Sequence, residues 1–177
     1  MLHRRTTSAV SAALLAALKI ASAQVAPDAV VTQAITEKSL ALHYEIEAAE
    51  AAIDACAANH LRAIVVIVDA RGNTKLQMVG DRGNYNLLDE ARRKARTAAL
   101  MRRSTIDLQQ ALAANPRMRI PPDSDFLIIS GGTPIRAGSE IVAAIGVAGG
   151  APEQMEGCAQ AGADKLAPYL HPEPPHQ

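Results

Sequence analysis

The glycine-rich stretch between residues 126 and 150 limits the possible folds of this chain more than any other segment. Two short runs of apolar and β-branched residues, 126–130 and 141–148, flank a Gly-Gly-Thr-Pro-Ile sequence that starts at Gly131. Glycine between strands marks places where the backbone needs a positive φ or where another group comes close. Pro134 fixes its own φ and has no N–H to donate. The stretch therefore predicts two strands joined by a tightly shaped turn at residues 131–135.

A long helix is predicted upstream, over residues 30–59, because apolar side chains recur there every three to four positions. The apolar stripe consists of Val31, Ile35, Leu42, Ile46, Ala49, Ile53 and Cys56. Four acidic residues lie off this stripe and are predicted to face water, namely Glu45, Glu47, Glu50 and Asp54.

A hairpin follows this helix, with residues 62–69 and 74–80 on either side of an Ala-Arg-Gly-Asn turn. Residues 64–68 are apolar throughout, which is typical of a central strand covered on both faces. Helices are predicted over 87–103, over 106–114 after a break at Ser104, and over 153–166. The order of elements predicts an α+β sandwich with an antiparallel sheet.

A run of basic residues on the second helix can meet either a carboxylate-bearing ligand or solvent: Arg92, Arg93, Lys94, Arg96, Arg102 and Arg103.

The two ends of the chain differ from its middle. Arg4 and Arg5, an apolar stretch over residues 8–20 and the sequence Ala21-Ser22-Ala23 together predict a signal peptide over residues 1–23. The mature protein would then be periplasmic or secreted, by the general or the twin-arginine route. We expect one domain over residues 24–167 and a disordered, proline-rich tail over residues 168–177.

Composition excludes several functions. Loss of the signal peptide leaves 15 basic residues against 18 acidic ones, because it removes Arg4, Arg5 and Lys19 from the total of 18. Nucleic acid is therefore not expected as a partner. The chain has one Phe, three Tyr and no Trp, so its core must be aliphatic. No hydrolase triad, phosphate-binding loop or dinucleotide fingerprint occurs in the sequence, and a binding protein is favoured over an enzyme.

Three blocks of the sequence resemble the GlcG/HbpS-like family, which is related to the C-terminal domain of PduO-type proteins. These blocks are the strand and Asp-x-x-Gly turn at 65–73, the A-x-x-K-A-x-T-A helix at 91–98, and the glycine-rich blocks at 131–135 and 144–150. The resemblance implies a profilin-like α/β/α sandwich with a five-stranded antiparallel sheet. It also implies an exported, homo-oligomeric protein that binds haem or a related tetrapyrrole. The sequence departs from the family pattern at residues 81–84 and at Met155.

The resemblance also suggests ligand-binding residues. Thr97 is the candidate ligand of the haem iron, although a helical threonine commonly donates to the carbonyl four residues earlier. Lys94 and Arg96 are candidates for pairing with the haem propionates.

The glycine-rich turn supplies the remaining binding candidates, Gly131, Gly132 and Pro134. An alternative function is a small-metabolite enzyme that uses the Gly131 and Gly132 amides as an anion cradle, with Lys94, Arg96 or Asp69 as polar partners. A third is a sensor or scaffold protein without ligand chemistry.

The first helix carries candidate metal ligands. His43 can reach an iron, and Glu47 and Glu50 lie three residues apart on one helix face, a spacing that can hold a hard cation weakly. The same side chains also suit a solvated helix face.

Cys56 and Cys158 are the two cysteines of the chain. Export would place them in an oxidising compartment, and in a profilin-like sandwich the first and last helices pack side by side. A disulfide between Cys56 and Cys158 is therefore predicted. Two buried thiols remain the alternative.

Overall fold

The fold is taken from a computed structural model. The structure describes residues 39–123 and 125–170. The predicted signal peptide, the first part of the predicted first helix and residues 171–177 lie outside the described residues. The helices are α1 (Leu42–Ala58), α2 (Leu88–Met101), α3 (Thr105–Ala114) and α4 (Pro152–Lys165). The strands are β1 (Ile64–Asp69), β2 (Thr74–Val79), β3 (Gly132–Ala137) and β4 (Glu140–Ala148). Short 3-10 turns cover Tyr85–Leu87 and Ala167–Tyr169.

The four strands of the described chain form one antiparallel sheet in the order β2-β1-β4-β3. The α+β class and the antiparallel sheet are thus confirmed. β1 lies inside the sheet, and its residues 64–68 are fully buried, as their continuous apolar run predicted. Helices cover both faces. Residues of α1 and α4 pack with Val65, Ile67 and Ile145. The alanines of α2 pack with Ile64, Val66 and Val68 on the other face.

The prediction of a strand at residues 126–130 is wrong, and the described residues form four strands instead of the five that the family resemblance implied. The segment runs along α2 instead of joining the sheet, because α2 supplies its hydrogen-bond partners. The Leu127 N–H donates to Thr97 Oγ1 over 2.8 Å, and the Arg93 guanidinium donates to the Phe126 carbonyl over 3.0 Å. Hydrogen bonds to side chains of α2 therefore take the place of the hydrogen bonds that this segment would form with a neighbouring strand.

The position of the glycine-rich turn also differs from the prediction. Gly132, Thr133 and Pro134 are the first residues of β3, and the chain reverses direction later, at Gly138 and Ser139. Pro134 is accommodated because β3 is an edge strand, where a missing N–H does not break a ladder bond. The two strands on either side of the true turn are β3 and β4.

Helix α1 begins at Leu42, so the predicted continuous helix from residue 30 is wrong at residues 39–41, which are not helical. Its buried face consists of Glu45, Ala48, Ala49, Ala52 and Cys56. Glu45 was predicted to face water, but its side chain is 1% exposed, whereas Leu42 is 59% exposed. The helix is rotated in this way because its small alanines allow close packing against α4.

The Glu45 carboxylate has one cation nearby, since Lys75 Nζ lies 3.9 Å from its Oε1 atom. Burial raises the pKa of the Glu45 carboxyl, and the positive charge of Lys75 opposes this shift only in part.

Helices α1 and α4 lie side by side. The Ala48 carbonyl approaches α4 so closely that a Cβ on Gly162 would lie 2.7 Å from its oxygen. Cys56 and Cys158 are joined by a disulfide at this contact, with their Cα atoms 5.4 Å apart. The bond closes a segment of the chain with a sequence separation of 102 residues.

The described chain continues after α4 to residue 170. Ala167–Tyr169 form a 3-10 turn, and the ring of Tyr169 lies 5.0 Å from that of Tyr44 on α1. The prediction that disorder begins at Pro168 is therefore wrong for residues 168–170. No helix within the described ranges is long and apolar enough to cross a membrane.

Candidate functional site

Helix α2 meets the sheet where the glycine-rich stretch begins, and this brings three of the predicted site residues together. Lys94 is 1% exposed, and its Nζ donates to the Val147 carbonyl over 3.2 Å and lies 2.6 Å from Glu90 Oε1. A Cβ on Gly132 would lie 2.5 Å from the Lys94 carbonyl oxygen. Gly131 has a φ of +113°, a conformation that L-residues with side chains rarely adopt. Gly132 is therefore needed for the approach of α2, and Gly131 for the backbone conformation that precedes β3.

Both glycine amides at this junction already have acceptors within the chain. The Gly131 N–H donates to Glu156 Oε2 over 2.7 Å, and the Gly132 N–H donates to Thr105 Oγ1 over 2.9 Å. The Thr133 hydroxyl donates to the other carboxylate oxygen of Glu156 over 3.4 Å. The anion held at this place is thus the protein's own carboxylate.

Glu156 is a site residue that sequence reasoning did not select. Its position beside Met155, where the chain departs from the family pattern, was the available signal. Burial raises the pKa of the Glu156 carboxyl, although the Gly131 N–H and the Thr133 hydroxyl favour the ionised form. An ionised carboxylate at this position is therefore held at a cost in folding free energy.

A Glu156→Gln variant should gain stability relative to wild type as the pH rises. In the unfolded chain the carboxyl loses its proton near its ordinary pKa of 4.5, whereas the raised pKa keeps the proton on the folded chain to higher pH. The folded state therefore binds more protons in this window, and the free energy of unfolding of the wild type falls as the pH increases. Urea unfolding of both proteins at about pH 4 and about pH 7 measures the difference. Glu153→Gln, an exposed change on the same helix, is the matched control. An equal difference between wild type and Glu156→Gln at both pH values would contradict the prediction.

Thr97 and Arg96 form hydrogen bonds with residues outside the glycine junction. The Thr97 hydroxyl is buried, donates to the Arg93 carbonyl over 2.7 Å and accepts the Leu127 N–H. The Arg96 guanidinium donates to Asp123 Oδ2 over 3.3 Å. These two residues fasten the segment around residues 123–127 to α2, so they do not converge with Lys94 on one binding site.

Pro134 lines an open groove of about 690 Å³ beside this junction. The walls come from the turn between α2 and α3, the edge strand β3 and one face of α4. We call it the basic groove, and its lining residues are Arg102, Arg103, Ser104, Ile106, Asp107, Thr133, Pro134, Arg136, Glu156, Gly157 and Gln160.

Two of the three arginines of the basic groove are positioned by backbone carbonyls. Arg102 donates to the Ser139 carbonyl over 3.3 Å, and Arg136 donates to the Arg102 carbonyl. Arg102 itself has a φ of +54°, which makes the tight left-handed end of α2. No acidic side chain of the described residues forms an ion pair with Arg102, Arg103 or Arg136.

The residues predicted to bind a metal remain on the surface of α1 or half-buried there. The ring of His43 lies 3.8 Å from that of Tyr44. Within residues 39–123 and 125–170, no group of three or more His, Cys, Asp or Glu side chains is arranged to hold a metal ion. The hypothesis of a metal at His43, Glu47 and Glu50 therefore gains no support from their arrangement.

Comparison with known proteins places these elements in a family. The model of the HbpS-like haem-degrading protein family matches residues 40–164, which include all four strands and the four α-helices up to the last residue of α4. The chain belongs to the HbpS-like family. The crystal structure of HbpS is 35% identical, with a TM-score of 0.66, and the match covers 73% of this chain and 91% of that chain. The identification of the GlcG/HbpS-like family from sequence is thus confirmed.

Two further structures are similar to this HbpS-like chain. A double variant of HbpS from Streptomyces reticuli is 33% identical with a TM-score of 0.65, covering 89% of this chain and 99% of that chain. A complex of PduOC with haem is 21% identical with a TM-score of 0.64, covering 73% of this chain and 96% of that chain, and shows the shared fold. No curated protein matches this chain.

Proposed function

We propose that this chain is an exported haem-binding protein. The observation that carries the proposal is its 35% identity to HbpS across 91% of that protein, within a family described as haem-degrading. A protein of the same fold, PduOC, has a crystal structure as a haem complex, which further supports haem as the ligand. Haem would supply its iron chemistry when bound, and the protein would supply the binding surface and the groups that pair with the propionates.

Export is part of the proposal and has support besides the predicted signal peptide. The disulfide between Cys56 and Cys158 is a bond that persists in the periplasm and outside the cell and is rare in the cytosol. Self-association into a homo-oligomer is also proposed, on the resemblance alone, and light scattering coupled to size-exclusion chromatography measures it.

The alternative of a small-metabolite enzyme with an amide cradle is disfavoured. A substrate anion would have to displace Glu156 from the Gly131 N–H and Thr105 from the Gly132 N–H. Lys94 is likewise committed to Glu90 and the Val147 carbonyl. The polar groups that such an enzyme would need are already paired with one another.

Titration of the purified mature protein with haemin tests the proposed function. We expect a Soret band that saturates at a fixed stoichiometry. A featureless, non-saturating increase, as shown by free haemin, would contradict haem binding. Native mass spectrometry of protein purified from the periplasm would then show whether a bound metabolite supports the enzymatic alternative.

A Thr97→Val variant tests the role suggested for Thr97 by the family resemblance. The hydroxyl can coordinate an iron only after leaving the Arg93 carbonyl and the Leu127 N–H, because the side chain is fully buried. We therefore expect the variant to lose about 1–3 kcal/mol of stability, since the Leu127 N–H is left without its acceptor, and to bind haemin as the wild type does. Thr97→Ser, which keeps the hydroxyl, is the control. A folded Thr97→Val protein with no Soret band would identify Thr97 as the iron ligand.

A further inference from the structure

The basic groove is lined by three arginines and two acidic residues, so it carries an excess of positive charge. Arg102, Arg103 and Arg136 are all exposed, and all three line this one groove. Elsewhere on the same protein the partly buried Arg92 pairs with nearby acids, namely Asp89 and Asp125. Among the described residues, the three groove arginines have no such partner.

Two of these guanidinium groups are nevertheless held in place. Arg102 and Arg136 each donate to a backbone carbonyl, of Ser139 and of Arg102 respectively. A carbonyl oxygen fixes the orientation of a guanidinium without neutralising its charge. Because a guanidinium has five N–H donors, most donors of both side chains remain for a ligand. Arg103 has no side-chain hydrogen bond within the described residues, so its whole guanidinium remains available.

The acids of the groove limit the kind of anion that fits. Glu156 and Asp107 also line it, and Glu156 is already bound to the Gly131 N–H and the Thr133 hydroxyl. With both acids ionised, the three arginines leave one net positive charge, which suits a carboxylate better than a doubly charged phosphate. Arginine also binds carboxylates in a two-point geometry.

We propose that the basic groove is a carboxylate-binding site formed by Arg102, Arg103 and Arg136. The rest of the ligand would lie over Ile106, Pro134 and Gly157, where a Cβ on Gly157 would meet no atom within 4 Å. The carboxylate can belong to a haem propionate, in which case the inference rests on the proposed function, or to a small free dicarboxylic acid. The shared chemistry is a carboxylate clamped by arginines.

The test uses the mature protein, an Arg103→Gln/Arg136→Gln double variant and an Arg119→Gln control. Arg119 is also exposed, but its guanidinium binds the carbonyls of Pro116 and Met118 outside the groove. Each protein is titrated with haemin by absorption, with haemin dimethyl ester, whose propionates carry no charge, and with succinate by calorimetry. Circular dichroism and urea unfolding establish that the variants are folded, and Arg103→Gln alone serves if the double variant is not.

We expect at least one carboxylate ligand to bind the wild type and to bind the double variant at least tenfold more weakly, with Arg119→Gln unchanged. Weaker binding of the ester than of haemin by the wild type assigns the site to propionates. A third outcome is that the wild type binds succinate but not haemin, and that the double variant does not bind succinate. This outcome supports the carboxylate site and refutes the proposed function. The inference is overturned if every ligand that binds the wild type, haemin or succinate, binds the folded double variant as tightly. It is also overturned if neither ligand binds the wild type.

Discussion

A Gly146→Val variant is expected to be less stable than the wild type by about 3 kcal/mol, the upper range for inserting atoms into a packed interior. Gly146 lies on β4 opposite Val66, and α2 crosses directly above it. A Cβ at this position would overlap the Ala91 carbonyl oxygen and lie 2.6 Å from the Ala95 nitrogen. Both are backbone atoms of a helix, so no side-chain rotation can relieve the contact. Strand propensity alone predicts that the variant is more stable than the wild type, because valine favours strands and glycine does not.

Gly157→Ala is the matched control for this prediction. Gly157 lies on the exposed face of α4, and an added Cβ there would contact no atom within 4 Å. Alanine should therefore stabilise the helix, by about 0.5–1 kcal/mol. Urea unfolding followed by circular dichroism measures both variants. Equal stability of Gly146→Val and the wild type would show that α2 does not lie against β4 as described.

Removal of the disulfide by a Cys56→Ala/Cys158→Ala double change is expected to lower the free energy of unfolding by about 2–5 kcal/mol. The bond closes a long loop, with a sequence separation of 102 residues, and so removes many conformations from the unfolded chain. Chain-entropy estimates for loops of this length give an upper figure of about 4.7 kcal/mol. The urea concentration at half-unfolding should fall accordingly.

Reductant provides the internal control for the disulfide. Dithiothreitol should lower the midpoint of the wild type towards that of the double variant and leave the double variant unchanged. The alanine substitutions themselves remove little volume, although both sites are buried. If the reduced and oxidised wild type unfold at the same urea concentration, the cross-link contributes nothing to stability.

Elements with strong local signals were predicted correctly from the sequence. The continuous apolar run of β1 indicated an interior strand. Ser104 separates α2 from α3 because its hydroxyl caps α3 by accepting the Asp107 N–H. Pro152 starts α4, where a missing N–H costs nothing. In each case the determining chemistry lies within a few residues along the chain.

Two predictions failed because distant contacts decide the structure there. The segment after Phe126 has strand-forming composition, but Thr97 and Arg93 supply its hydrogen-bond partners from 30 or more positions away. The exposure of Glu45 was mispredicted because the rotation of α1 is set by α4. No local pattern reports how a helix is turned against a neighbour that follows much later in the chain.

The candidate site shows the same division. The motif around Lys94 and the Gly131-Gly132 pair were each recognised as sequence motifs, and the fold brings them into contact. Arg102 and Arg103 were visible as part of a basic run, whereas Arg136 joins them only through the fold, by donating to the Arg102 carbonyl.

The proline in β3 has a consequence for the solubility of the folded chain. An exposed edge strand offers unpaired N–H and C=O groups to the strands of other molecules, and this is a common route to aggregation. At Pro134 the outer edge of β3 lacks a donor, so an incoming strand could not complete a continuous ladder there. The charged Arg136 two residues later adds repulsion between identical edges. Residues 131–135, which the sequence predicted as a turn, thus hinder the pairing of this sheet edge with the same edge of another molecule.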